Sequence, residues 1–212
     1  MNIAEIAFGI QTLGPGSRVV IWTQGCVRCC PGCISPEFQP VIPAQIFRVD
    51  DLASLLVRNK QTCCGLTISG GEPMLQASGV VQLWNQIKQV LPAWDLIVFS
   101  GYLRDELLKK HTSGQVDLLE QCDAFIGGPF VQSRKCEIGL RGSSNQEIYF
   151  PKQSSFPLAE RKVFFNCPQQ QQLFFSGSTF FLAGIPSDTG RVTGVIRPSS
   201  HDPVRPGRKK ML

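Results

Sequence analysis

Between residues 19 and 128, short apolar runs alternate with segments of helical period, and that order leaves few ways to arrange the chain. Val19-Val20-Ile21-Trp22-Thr23, β-branched and apolar on both faces, reads as a buried strand. Asp50 or Asp51 can cap a helix reaching Asn59, with Leu52, Leu55 and Leu56 on one face. Leu66-Thr67-Ile68 is a second strand. A helix from about Leu75 to Val90 carries Val80, Trp84, Ile87 and Leu91 on its apolar face, and Pro92 closes it. Asp95 to Phe99 is a third strand, followed by a helix over Leu103 to His111 and a helical turn through Leu118 and Leu119. Ala124-Phe125-Ile126 is a fourth strand. Crossovers long enough for a helix imply parallel strands with helices packed outside. Four or five such units cannot close an eight-stranded barrel, so the expected α/β fold is a partial barrel or open curved sheet of mostly parallel strands.

Beyond residue 150 the texture changes. Phe164-Phe165, Phe174-Phe175 and Phe180-Phe181 alternate with polar residues, as in short antiparallel strands around Gly177-Ser178. The Gln169–Gln172 run reads as a polar loop tip. From Arg197 onward Pro, Ser, Gly and Arg dominate, which predicts disorder. The expected division is a partial-barrel domain over 1–150, a small β-rich C-terminal extension over 151–196 and a disordered basic tail over 197–212. That tail is expected to be solvated rather than bound to nucleic acid.

Hydrophobic residues make up 42% of the chain and charged residues 17%, ample for a core. No run approaches the roughly 18 apolar residues that cross a bilayer. Met1–Phe8 carries Glu5 and lacks the basic start of a secretory signal, so a cytoplasmic location is expected. In that setting nine cysteines, an odd number, point to metal ligation rather than disulfides.

The thiols concentrate in Cys26-Val27-Arg28-Cys29-Cys30-Pro31-Gly32-Cys33, directly after the first strand. Cys26, Cys30 and Cys33 form a Cys-x3-Cys-x2-Cys array. A cubane [4Fe–4S] cluster has four irons, normally with one thiolate each, so three thiolates leave one iron open to a ligand. The competing reading is structural zinc, which needs a closed tetrahedron; Cys63-Cys64 is a poor second pair, and His111 and His201 lie far away in sequence. Cys29, inside the array, is expected to point away. The second element is the turn Ser69-Gly70-Gly71-Glu72-Pro73 at the next strand end. Its glycines would let a ligand approach the backbone, and Glu72 offers a carboxylate to an ammonium group.

The triad together with Ser69-Gly70-Gly71-Glu72-Pro73 resembles the radical S-adenosylmethionine (SAM) superfamily. More narrowly, the chain resembles the family of anaerobic ribonucleotide reductase-activating proteins. Gly14-Pro15-Gly16-Ser17-Arg18, Thr23-Gln24-Gly25-Cys26, Cys33-Ile34-Ser35-Pro36-Glu37, Ser100-Gly101-Tyr102, Gly128-Pro129-Phe130-Val131 and Arg141-Gly142-Ser143-Ser144-Asn145-Gln146 carry that likeness in order. One departure is Gly127, where family members often have Asp. The resemblance implies a [4Fe–4S] cluster on Cys26, Cys30 and Cys33 and SAM contacts from Gly70, Gly71, Glu72, Pro73 and Ser100. It implies reductive cleavage of SAM to a 5′-deoxyadenosyl radical, with no catalytic residue beyond the cofactor ligands. The implied partners are a glycyl-radical enzyme such as anaerobic ribonucleotide reductase and an external one-electron donor, with no membrane. Two alternatives stay open: a radical SAM enzyme acting on another peptide or small molecule, and a non-catalytic metal-binding module.

Other residues have double readings. Tyr102 either reaches the adenosine or packs. Arg18 and Arg141 pair with the SAM carboxylate, with a partner peptide, or in surface salt bridges. Asn145 and Ser143-Ser144 form a turn. Trp22 shields the cluster or fills the core, and Cys63, Cys64, Cys122, Cys136 and Cys167 read as small apolar residues or bystanders.

Overall fold

A computed structural model describes residues 1–109, 113–176, 179–187 and 192–196. The expected basic tail over 197–212 and the turn at Gly177-Ser178 lie outside the described residues. The strands are β1 (Asn2–Ile10), β2 (Arg18–Thr23), β3 (Gln45–Ile46), β4 (Gly65–Gly70), β5 (Asp95–Ser100), β6 (Ala124–Gly127) and β7 (Glu147–Tyr149). They form one sheet in the order β3-β1-β2-β4-β5-β6-β7. The four central strands β2, β4, β5 and β6 are parallel, as the crossovers require. Antiparallel strands flank them, β1 beside β2 and β7 beside β6.

Strand β1 has no counterpart in the sequence reading. Its buried positions are Ile3, Glu5, Ala7 and Ile10, so a carboxylate interrupts the apolar alternation that would have revealed it.

The crossovers are α1 (Val49–Asn59), α2 (Ala77–Val90) and the pair α3 (Arg104–Lys109) and α4 (Ser113–Gln121). The expected helix from Leu75 starts later, because Pro73–Gln76 forms a separate 3-10 turn. The expected turn through Leu118 is a full helix. Leu52, Leu56, Val80, Leu83 and Ile87 pack with Ile21, Ile68 and Val98 to make the core on one face of the sheet.

The opposite face is covered by the C-terminal part of the chain. Strands β8 (Gln171–Ser176), β9 (Thr179–Gly184) and β10 (Val192–Ile196) form a second sheet in the order β10-β8-β9. Phe174 and Ala183 from this sheet pack on Ala7, Ile10, Val20 and Trp22. Farther along, Phe156 and Phe164 pack on Ile97, Ala124 and Ile126.

The glutamine run is not a loop tip, since Gln171 and Gln172 open β8. Gln172 is buried, and its side-chain carbonyl accepts the Gln11 backbone N–H at 2.9 Å. Gln169 is buried too and donates to the Arg141 carbonyl at 2.7 Å. Amide side chains satisfy backbone groups that the junction between the sheets leaves unpaired. Gln172→Ala is expected to lower the unfolding free energy by about 1 kcal/mol in urea titration.

Arg18 does not belong to the lining of the cavity that holds the cysteine thiols, and it is not a surface residue. It is fully buried at the start of β2, where it donates to Thr67 Oγ1 at 2.7 Å, the Leu66 carbonyl at 2.8 Å and Asp95 Oδ1 at 2.5 Å. It pairs in register with Gly65, so it sits at the N-terminal ends of the parallel strands, away from the cysteine loop.

Candidate functional site

The cysteine loop leaves β2 through Gly25, whose φ of +99° favours glycine. The Gly25 N–H donates to the Phe38 carbonyl at 2.9 Å and the Cys26 N–H to the Gln39 carbonyl at 2.8 Å, which tie the start of the loop to its return. Cys26, Cys30 and Cys33 are half-buried and line a cavity of about 580 Å³. Cys29 sits at φ +45°, is exposed, and does not belong to that lining. The left-handed kink at Cys29 turns one thiol outward while its neighbour Cys30 faces the cavity.

Beside the start of this loop stands the turn after β4. Gly71 N–H donates to the Thr23 carbonyl and Glu72 N–H to the Gly25 carbonyl, both at 2.8 Å. A Cβ on Gly71 would lie 2.3 Å from the Gly25 carbonyl oxygen, and one on Gly70 would lie 2.4 Å from the Thr23 nitrogen. The glycine pair therefore lets two strand-end loops join backbone to backbone, a demand that reasoning about ligand access alone had not included.

Glu72 is fully buried. Its Oε1 accepts from Met74 N–H at 2.9 Å and Ser100 Oγ at 2.8 Å, and its Oε2 accepts from Gly101 N–H at 2.7 Å. Burial pushes its carboxyl above the usual carboxylate range, against these donors and the nearby Arg28 charge. The side chain locks the β4 loop to the β5 loop and keeps acceptor capacity on Oε2. Ser100 also accepts from Tyr102 N–H at 3.0 Å. Pro73 is buried and begins the 3-10 turn that follows. Ser69, Gly70, Gly71, Glu72, Ser100 and Gly101 all face the same cavity as the three thiols.

Arg28, within the array, is a site residue that the sequence reading passed over. It lies 4.6 Å over the Tyr102 ring, 3.4 Å from Glu106, and lines the cavity. Its position between two cavity thiols was the available signal. Tyr102 packs, as one of its two readings had it. Burial raises the Cys26 thiol above its ordinary value, with the Glu72 charge adding to the effect.

Trp22 packs, and it also lines the cavity. It stacks on Phe174 at 5.7 Å, Phe174 stacks on Phe181 at 5.3 Å, and all three line the cavity. Arg141 takes neither a surface salt bridge nor a place in the cavity lining. It donates to the Gln146 carbonyl at 3.3 Å and covers the Phe165 ring. Asn145 donates to the Pro129 carbonyl at 2.8 Å, and Ser143 Oγ accepts from Val131 N–H at 3.1 Å, so this segment braces a turn. At Gly127 a Cβ would meet the Phe125 ring at 2.3 Å and the Tyr102 carbonyl at 2.8 Å, so this fold has no room for the family's Asp. Cys63 and Cys122 are buried, whereas Cys64 is exposed and Cys136 and Cys167 are intermediate.

The donor set fits an iron–sulfur cluster: three thiols of one loop line one cavity, and a cubane takes one thiolate per iron. Among the described residues, no helix is long and apolar enough to cross a membrane.

Residues 12–149 match the family model of the 4Fe-4S single cluster domain. The chain is 30% identical over 146 residues to an anaerobic ribonucleoside-triphosphate reductase-activating protein of Escherichia coli, a match covering 64% of this chain and 90% of that protein. Its Vibrio cholerae counterpart is 32% identical over 143 residues, covering 64% and 89%. A pyruvate formate-lyase-activating enzyme of Staphylococcus epidermidis is 34% identical over 80 residues, covering 35% of this chain and 32% of that enzyme.

Proposed function

The chain belongs to the 4Fe-4S single cluster domain family, among the radical SAM activating proteins of glycyl-radical enzymes, and from that premise we propose that it installs a glycyl radical on an anaerobic ribonucleotide reductase. Cys26, Cys30 and Cys33 would hold the cluster, and Gly70, Gly71, Glu72 and Ser100 would receive SAM, with Pro73, outside the lining, fixing the turn behind them. When bound, the cluster and SAM supply one-electron cleavage of the sulfonium and the hydrogen abstraction that follows. The protein's share is positioning and exclusion of water. Glu72 holds the β4 and β5 loops at a fixed spacing through Ser100 and Gly101. Trp22, Phe174 and Phe181 close the cavity with stacked rings.

The observation that carries this reading is the selection among the four loop thiols. Three line one cavity together with the Glu72 turn, and the fourth is turned out by its own backbone. To test it, the anaerobically reconstituted chain is mixed with SAM, a reductant and the reductase of the same genome. A glycine-centred doublet in the electron-spin spectrum is expected, dependent on SAM. Formation of 5′-deoxyadenosine without that doublet would assign the chemistry to another substrate. Ser100→Ala removes one donor from the buried Glu72 carboxylate. It is expected to weaken SAM binding about tenfold, the scale of a charge-assisted hydrogen bond, as read by equilibrium dialysis.

A further inference from the structure

The family match ends at residue 149, yet the cavity continues past it: Phe180, Phe181, Leu182, Gly184, Ile185 and Pro186 line the same space as the three thiols. This wall therefore comes from the chain's own C-terminal extension. Its side chains divide in two. Phe181 stacks inward on Phe174. Phe180 and Leu182, the alternate positions of the same strand, are 65% and 48% exposed. Exposing two large apolar side chains beside a site is unfavourable unless something covers them.

Strand β9 is also the edge of its sheet: among the described residues its neighbour is β8 alone, with β10 on the far side of β8. An edge strand offers a row of backbone donors and acceptors, and an extended segment can pair with it while alternate side chains rest on its neighbours. Phe180 and Leu182, two residues apart, stand roughly 7 Å apart along the strand, the repeat of a facing extended chain.

We propose that β9 is the docking strand for the substrate segment, and that Phe180 and Leu182 select an extended peptide with apolar side chains at alternate positions around its target glycine. This deepens the proposed function and rests on it. A glycine that must reach the thiol-lined cavity is carried by a chain that has to cross the cavity's rim, and β9 supplies both an edge and an apolar surface there. Elsewhere the lining is mixed, with Gln132, Lys135 and Gln146 beside Phe130 and Ile34, whereas β9 joins an apolar surface to a strand edge.

The test uses the reconstituted full chain with SAM and two fluorescein-labelled peptides, each with a central Gly. One has Val at alternate positions and the other has Ser there. In anisotropy titrations the wild type should bind the Val peptide about tenfold or more tighter than the Ser peptide, the scale of burying part of two apolar side chains. Phe180→Ser/Leu182→Ser should bind the two peptides alike, with the thermal midpoint unchanged. Leu182→Ala alone should lose part of the preference. Equal binding of both peptides by the wild type, or a preference that survives in the double variant, overturns the docking strand. If SAM binding is intact in that case, the proposed function stands without it. Loss of SAM binding in the wild type removes both. A concentration-dependent dimer that vanishes in the double variant would assign this rim to self-association and overturn the proposal.

Discussion

Cys30→Ala is expected to lose most of its iron on anaerobic reconstitution and to drop 5′-deoxyadenosine formation by more than about 100-fold, since disturbing even the outer partners of a metal site costs 10–100-fold. Cys30 lines the cavity with Cys26 and Cys33, and a cubane deprived of one of three thiolates has no substitute close by. Cys29 is adjacent in sequence, but its backbone sits at φ +45° and its side chain faces solvent. Rescue by Cys29 would require the loop to reverse that kink, while its start is held by the Cys26–Gln39 and Gly25–Phe38 hydrogen bonds. Cys29→Ala should accordingly keep iron content and turnover close to wild type. Iron assay, the visible charge-transfer band and chromatographic detection of the nucleoside together read both variants.

Arg18→Met should destabilise the fold by about 3–5 kcal/mol, the scale for removing one partner of a buried ion pair. The change strands Asp95, 15% exposed, and removes the donors that Thr67 and the Leu66 and Pro15 carbonyls now use. Guanidinium unfolding reads it as a lower midpoint at constant slope. Combining Arg18→Met with Asp95→Leu should recover much of the loss, because an apolar pair leaves no charge unmatched. Since Arg18 lies at the opposite strand ends from the thiols, the folded variant should still bind iron. Poor iron uptake by a folded Arg18→Met protein would mean that this residue reaches the site after all.

The parallel strands and their loops were legible because fully buried strands announce themselves as β-branched runs, and because each run ended in a marked loop. The cysteine spacing identified three thiols, and the same three face the cavity. The illegible parts share a cause: polar groups in buried places. Glu5 hid β1 by breaking its apolar alternation. Gln169 and Gln172 looked like a solvated loop yet serve as internal hydrogen-bonding groups. Arg18 looked like a surface or ligand cation because a lone sequence does not show that Asp95 waits two strands away. The glycine pair was read for ligand access, whereas its tightest contacts are with backbone of the neighbouring loop. Composition past residue 150 suggested short strands, yet Phe164 and Phe165 lie in the helical turn Val163–Asn166, and it did not tell which face of the sheet the strands would cover.

In the proposed function three thiolates hold a cluster and leave one position open to SAM. The most direct measurement is the electron-spin spectrum of the reduced, reconstituted chain before and after SAM is added. The expected result is a [4Fe–4S] signal whose g-values shift on addition, with about four irons per chain. A spectrum that SAM leaves untouched, or a chain that instead carries one tetrahedral zinc, would contradict it.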